Sequence, residues 1–133
     1  MSGPQRIQLS RKKGWRKPEG AVNVARPGRW GNPFTLEWVR LGNPVAGIAA
    51  ADLTDLQARI AAVSTFKQWL TDDAYATAFP ASMQERRAWI LQHLHELAGK
   101  DLCCWCPPPD EGEADWCHAN VLFELAVKTA AQS

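Results

Sequence analysis

No apolar run in this sequence approaches the ~18 residues that a membrane-spanning helix requires, so no transmembrane helix is expected. The opening residues, Met1-Ser2-Gly3-Pro4-Gln5, lead into polar and basic positions without an apolar core, so no secretory signal is expected. Glycine patterns of the Walker or dinucleotide-binding kind are missing, as are internal repeats and low-complexity tracts. These absences set aside the familiar nucleotide-binding fingerprints, the solenoids and the disordered classes. Cysteine is sparse. Four residues without a secretion signal speak for a reducing, cytoplasmic setting and against a disulfide scaffold. Acidic residues are almost missing from the first third, where residues 1–40 hold two acids against nine bases.

What is present describes one ordinary domain spanning residues 1–133, long enough to bury a core without staples. Hydrophobic residues make up 46% and charged residues 22%, the balance of a globular protein, and seven tryptophans are many for this length. The net charge of +1 hides an asymmetry, because residues 41–133 hold six bases and twelve acids. A basic first third on a near-neutral chain points to a localised anion site, with phosphate the leading candidate.

Hydrophobic patterning predicts the order strand, strand, helix, helix, strand, helix. Arg6 to Ser10 alternates polar and apolar residues, and Ala21 to Ala25 is a second strand candidate ended by Pro27-Gly28. Between Arg26 and about Ala51, Pro27, Gly28, Gly31, Pro33, Gly42, Pro44 and Gly47 forbid long regular elements, although Thr35 to Arg40 suits a helical turn. Leu53, Leu56, Ile60, Val63 and Leu70, flanked by Phe66, predict a helix from Asp52 to about Leu70. Ser82-Met83-Gln84-Glu85 reads as a capping box for a helix from Arg86 to Ala98 that buries Ile90, Leu91, Leu94 and Leu97 and stops at Gly99. Leu102 to Cys106 reads as a buried strand, and Asp115 is expected to cap a last helix from about Trp116 to Ala130. The fold class is therefore α/β, a small two- or three-layer domain with a short mixed or parallel sheet and about three main helices.

Chemistry concentrates in Cys104, Cys106, Cys117 and His118. Side chains two apart on a strand share a face, so Cys104 and Cys106 would point together, with Cys103 and Trp105 pointing away. A Pro-rich turn would bring Cys117 and His118 to the strand's end, and three thiolates with one imidazole complete a closed zinc site of the structural kind. The rival reading makes Cys117 a reactive thiol at a helix start, with His118 or a distant histidine as its acid–base partner. In a third reading the cysteines are small buried hydrophobes. His93 and His95 are two apart on a helix, face different ways and cannot share a metal.

A second concentration is Arg26-Pro27-Gly28-Arg29-Trp30-Gly31-Asn32-Pro33-Phe34. Guanidinium forks suit phosphate oxygens, indole faces suit bases, and glycine admits close backbone approach. Upstream, Lys12 and Trp15 repeat the pairing of a cation with an aromatic. Lys12, Trp15, Arg26, Arg29, Trp30 and Asn32 together describe a stacking platform beside a positive rim. The competing structural reading has Trp30 and Phe34 pinning the loop to the core while the cations sit in water.

Taken together, the segment from Arg6 to Trp15, the block Arg26-Pro27-x-x-Trp30-Gly31-Asn32-Pro33-Phe34, and Leu102-x-Cys104-Trp105-Cys106-Pro107 followed by Cys117-His118 resemble an uncharacterised domain family widespread in bacteriophages and bacteria. The resemblance spans most of the chain and implies a phage or prophage setting and an intracellular role. It also implies that Cys104, Cys106, Cys117 and His118 form one motif from which Cys103 is excluded. The connection from Pro107 to Trp116 looks longer here than is typical of the family.

The expected function is binding of a nucleotide-like or other phosphorylated ligand in a basic, Trp-containing pocket, with a structural zinc beside it and no membrane partner. One alternative is an enzyme acting on nucleotides or nucleic-acid bases through zinc or Cys117, with Glu113, Asp115 and Glu124 as candidate bases. The other is a nucleic-acid-binding accessory protein.

Overall fold

The computed structural model describes residues 4–42 and 49–132, so Pro44 and Gly47, two of the predicted helix breakers, lie outside the described residues. Three short strands form the sheet: β1 (Arg6–Gln8), β2 (Val22–Asn23) and β3 (Leu102–Cys104). Their order is β1-β3-β2, and both outer strands run parallel to β3, which settles the sheet as parallel. Register pairs Gln8 with Cys104 and Asn23 with Cys103. The ladder continues past the ends, with Leu9 N donating to Cys104 O at 2.8 Å and Val24 N donating to Cys103 O at 2.9 Å. Every residue of β3 is buried, as a central parallel strand requires.

All three strands therefore end at the same edge of the sheet. Residues 9–17 leave from β1, residues 24–34 from β2 and residues 105–117 from β3. Three segments far apart in sequence must meet there, at the edge where open α/β sheets place their sites.

Helices cover the sheet. After α1 (Leu36–Arg40) and a 3₁₀ turn (Ala50–Asp52) come α2 (Asp55–Thr71), α3 (Asp73–Ala76) and α4 (Ala81–His93). A 3₁₀ turn at Leu94–Leu97 continues α4, and α5 (His118–Gln132) closes the chain. The long helices are α2, α4 and α5, with 17, 13 and 15 residues. α5 packs on the Leu94–Leu97 turn, on α2 and on β3. No helix among the described residues is long and apolar enough to cross a membrane.

Several local expectations need correction. α2 starts at Asp55, where Thr54 and Gln57 form a reciprocal capping box that the hydrophobic pattern does not reveal. Its buried face is Ala58, Ala62, Val63, Phe66, Trp69 and Leu70, while Leu56 is exposed and Ile60 half-buried. A stripe drawn through large side chains misses the alanines, whose small size lets a neighbouring backbone come close. α4 begins at Ala81 behind Pro80, with no side-chain cap, so Ser82 lies inside the helix. Proline preset to a helical φ starts the helix there without a hydroxyl. Ile90, Leu94 and Leu97 are buried as expected, Leu91 partly, and Gly99 has the positive φ of +77° that stops the segment. β3 ends at Cys104 and α5 starts at His118, so Cys106 and Cys117 both sit just outside regular structure.

Candidate metal centre and adjoining cavity

Cys104, the last residue of β3, and His118, the first residue of α5, face each other across the end of the sheet. Their Sγ and Nδ1 atoms are 3.8 Å apart, and Cys117 Sγ is 3.9 Å from the same Nδ1. The donor atoms of Cys104, Cys117 and His118 all lie within 4.8 Å of one another, and all three residues are buried. Cys106 Sγ lies 3.6 Å from Cys104 Sγ on the loop side, outside the group of three mutually close donors. Cys103, by contrast, is buried beside the ladder and takes no part.

The imidazole is oriented for this role. Nε2 of His118 lies 2.7 Å from the carbonyl oxygen of Val24. A carbonyl only accepts, so Nε2 carries a proton, and Nδ1 is turned towards the sulfurs. Phe66 fixes the ring further, standing edge-on at 5.6 Å between centroids. Electrostatics among the thiols is one-sided. Hydrogen bonds from Cys106 and Cys117, with help from His118, hold the Cys104 thiol well below its ordinary range. Cys117 is pushed up by its hydrogen bonds to Cys104 and Cys106 and by burial, and Cys106 chiefly by its hydrogen bond to Cys104. One thiolate is accommodated, and a second or third needs a cation between them. A site of this donor set could hold a metal ion.

Arg6 closes the loop that carries the donors. Its guanidinium donates to the carbonyl oxygens of Cys106 at 2.7 Å and Pro107 at 3.1 Å. The same group forks onto the Asp115 carboxylate, one contact being 2.9 Å. Asp115 O in turn accepts from Cys117 N at 3.1 Å, and its carboxylate from Asn120 Nδ2 at 3.0 Å. Asp115 thus braces the entry to α5 from outside the helix. The sequence gives no sign of this bracing role for Arg6.

Beside the cluster lies a cavity of about 400 Å³. Cys104, Cys106 and His118 form part of its wall, Arg26 and Arg59 supply positive charge, and Trp105 and Trp116 supply indoles. No acid among the described residues lines it. Among the described residues neither Arg26 nor Arg59 has a carboxylate partner, whereas Arg6, Arg40 and Arg87 each have one.

The block from Arg26 to Phe34 is divided between wall and wedge. Arg26 reaches the cavity, and its Nη1 donates to Asn32 O at 3.2 Å. Gly31 is required there, because a Cβ would stand 2.8 Å from Arg26 Cγ. Asn32 also lines the cavity, but its amide is spent on structure: Nδ2 donates to Ala62 O at 3.1 Å and Oδ1 accepts from Phe34 N at 2.9 Å. Ala62 is one of the small α2 residues that permit this approach. Trp30 is buried edge-on against Trp89 at 4.8 Å, and Arg29 lies over the Trp89 ring at 5.2 Å. Neither lines the cavity, and neither do Lys12 and Trp15. Lys12 is exposed and Trp15 is half-buried against the core.

Trp105, expected to point away from Cys104 and Cys106, instead shares the cavity wall with them. Strict alternation stops where β3 stops, one residue earlier. Trp116 and Trp105 sit inside the cysteine motif and were findable as its indole neighbours. Arg59 carried no such signal, since it enters through the packing of α2. The carboxylates considered as bases are engaged elsewhere or off the wall: Asp115 by Arg6 and Asn120, Glu124 by Lys67 and Lys128, while Glu113 is exposed. Cys117 is 1% exposed and borders a smaller cavity of about 190 Å³. His93 stacks on Trp89 at 4.3 Å, away from the cluster, and His95 is exposed.

Residues 7–128 match the family described as a domain of unknown function, DUF4326, and the chain belongs to that family. No curated protein and no solved structure matches it.

Proposed function

We propose that this member of DUF4326 binds a nucleotide-like or other phosphorylated ligand in the cavity of about 400 Å³, beside a zinc ion that organises the cavity wall. One observation carries the reading. Among the described residues, two guanidiniums without carboxylate partners and two indoles line a cavity with no acid in its wall. Unpaired guanidiniums offer paired donors to phosphate oxygens, and an indole face takes a base at little conformational cost.

Cys104, Cys106, Cys117 and His118 would hold the zinc. Zn–S bonds of about 2.3 Å in a tetrahedron put sulfurs about 3.8 Å apart, and Cys104 Sγ lies 3.6 Å from Cys106 Sγ. Four protein donors fill the coordination sphere, so the ion's role is to fix β3, the loop and α5 in one arrangement. A binding module in a reducing interior, of phage or bacterial origin, accords with this reading. The enzyme reading draws less support from this cavity, which none of the named carboxylates lines, although Asp115 and Glu124 border the smaller cavity beside Cys117.

The test is calorimetric titration of nucleoside mono- and diphosphates and inorganic phosphate into the native protein and into Arg26→Ala and Arg59→Ala. A phosphorylated ligand should bind, and each substitution should weaken it by roughly tenfold or more, the value of a charge-assisted contact. Equal affinities in all three proteins would overturn the proposal.

A further inference from the structure

The cavity wall continues through Trp105 into a second feature that a free mononucleotide would not use. Trp105, part of the cavity wall, is 44% exposed. The guanidinium of Arg11 lies over its ring, 4.9 Å from the centroid. Arg11 opens the segment 11–17, which leaves β1 at the same sheet edge as the cysteine loop leaves β3. Trp15 anchors this segment to the core, and Trp15 N donates to Lys12 O at 3.0 Å to close a turn. Arg11, Lys12, Lys13 and Arg16 are exposed, and among the described residues none has a carboxylate partner. Like charges held this close in sequence repel one another and gain most from a ligand carrying several negative charges in a row. An exposed indole under a guanidinium, continuous with such a row, is a stacking platform beside an electrostatic track.

We infer that the cavity receives the terminal nucleotide of a single-stranded nucleic acid, whose chain passes Trp105 and runs along Arg11, Lys12, Lys13 and Arg16. This rests on the cavity reading above and names its ligand class. The cavity's volume suits one small-molecule-sized group, so the remainder of a strand has to lie outside it, where the cations are.

The experiment compares an unlabelled mixed-sequence single strand of twelve nucleotides with the four free mononucleotides by calorimetry, at several salt concentrations. The proteins are the full chain, Lys13→Ala combined with Arg16→Ala, and Arg26→Ala combined with Arg59→Ala. The strand should bind at least about tenfold more tightly than any mononucleotide, since one further stacked base is worth that factor. Losing Lys13 and Arg16 should weaken the strand, lower its salt slope by about 1.4, and leave mononucleotide affinity unchanged. Equal affinity of strand and mononucleotide, or an unaltered slope in that variant, overturns this inference and leaves the cavity reading standing. Strand binding that survives loss of Arg26 and Arg59 overturns it too, because the cavity would then not be used. If neither strand nor mononucleotide nor inorganic phosphate binds, both readings fall.

Discussion

Arg6 shows how one side chain can govern a site to which it supplies no metal donor. Its side chain is 6% exposed, and it ties the carbonyls of Cys106 and Pro107 to the Asp115 carboxylate, two residues before Cys117. Lysine would keep the charge and lose the fork, because an ammonium cannot meet two carbonyls and both carboxylate oxygens in one plane. Arg6→Lys should therefore lower stability by about 2 kcal/mol and zinc affinity by roughly 10- to 100-fold, the usual effect of disturbing a ligand's supporting contacts. Urea unfolding and competition with a chromophoric chelator read the two quantities. Unchanged values in both would remove Arg6 from this role. At this scale the sequence was legible where residue type alone limits the chemistry. Three thiols and an imidazole have few uses, and Cys104, Cys117 and His118 do converge. Roles within the aromatic and basic block were not legible. Trp30 and Asn32 carry the same chemistry whether they face a ligand or the core, and only packing against Trp89 and Ala62 decides.

The elements divide in a similar way. The existence and order of the strands and long helices follow from periodicity, which reports burial averaged over several turns. Their ends depend on single hydrogen bonds, and there two motifs of the same form had opposite outcomes. Thr54 accepts from Gln57 N at 3.1 Å and Gln57 Oε1 accepts from Thr54 N at 2.9 Å, whereas Ser82 lies within α4 and makes no cap. The difference is that Pro80 already starts α4 two residues before Ser82. Thr54→Ala should cost about 1 kcal/mol and Ser82→Ala close to nothing. Denaturant midpoints measured side by side decide this, and equal losses would contradict the assigned helix starts. α2 also carries Asn32's partner, Ala62, and Arg59 on the cavity wall, so fraying its first turn should loosen the cavity before it loosens the sheet.

Over the whole molecule, the parallel arrangement is what makes a site possible. Two crossovers bring β1 and β2 to either side of β3, and each strand then delivers its following segment to one edge. A metal at that edge would bind β3 through Cys104 and α5 through His118, and through the hydrogen bond from His118 to Val24 it would also hold the segment after β2. Its loss should be felt globally. At a thousandfold excess over its dissociation constant an ion contributes about 4 kcal/mol, which for a domain of this size corresponds to roughly 15 °C in unfolding temperature. Chelation should lower the unfolding temperature by about that amount, and added zinc should restore it. The pH dependence has a fixed sign. A bound ion would take thiolates, and without one only Cys104 is held below the ordinary thiol range while Cys106 and Cys117 are pushed up. Each ion bound therefore displaces protons, so affinity must fall as protons are added. Zinc content should be full near neutrality and lost on acidification to about pH 5, with the unfolding temperature falling in parallel. Purified protein that carries no zinc at neutral pH, takes none up and unfolds at the same temperature with and without chelator would show that the cluster is packing alone.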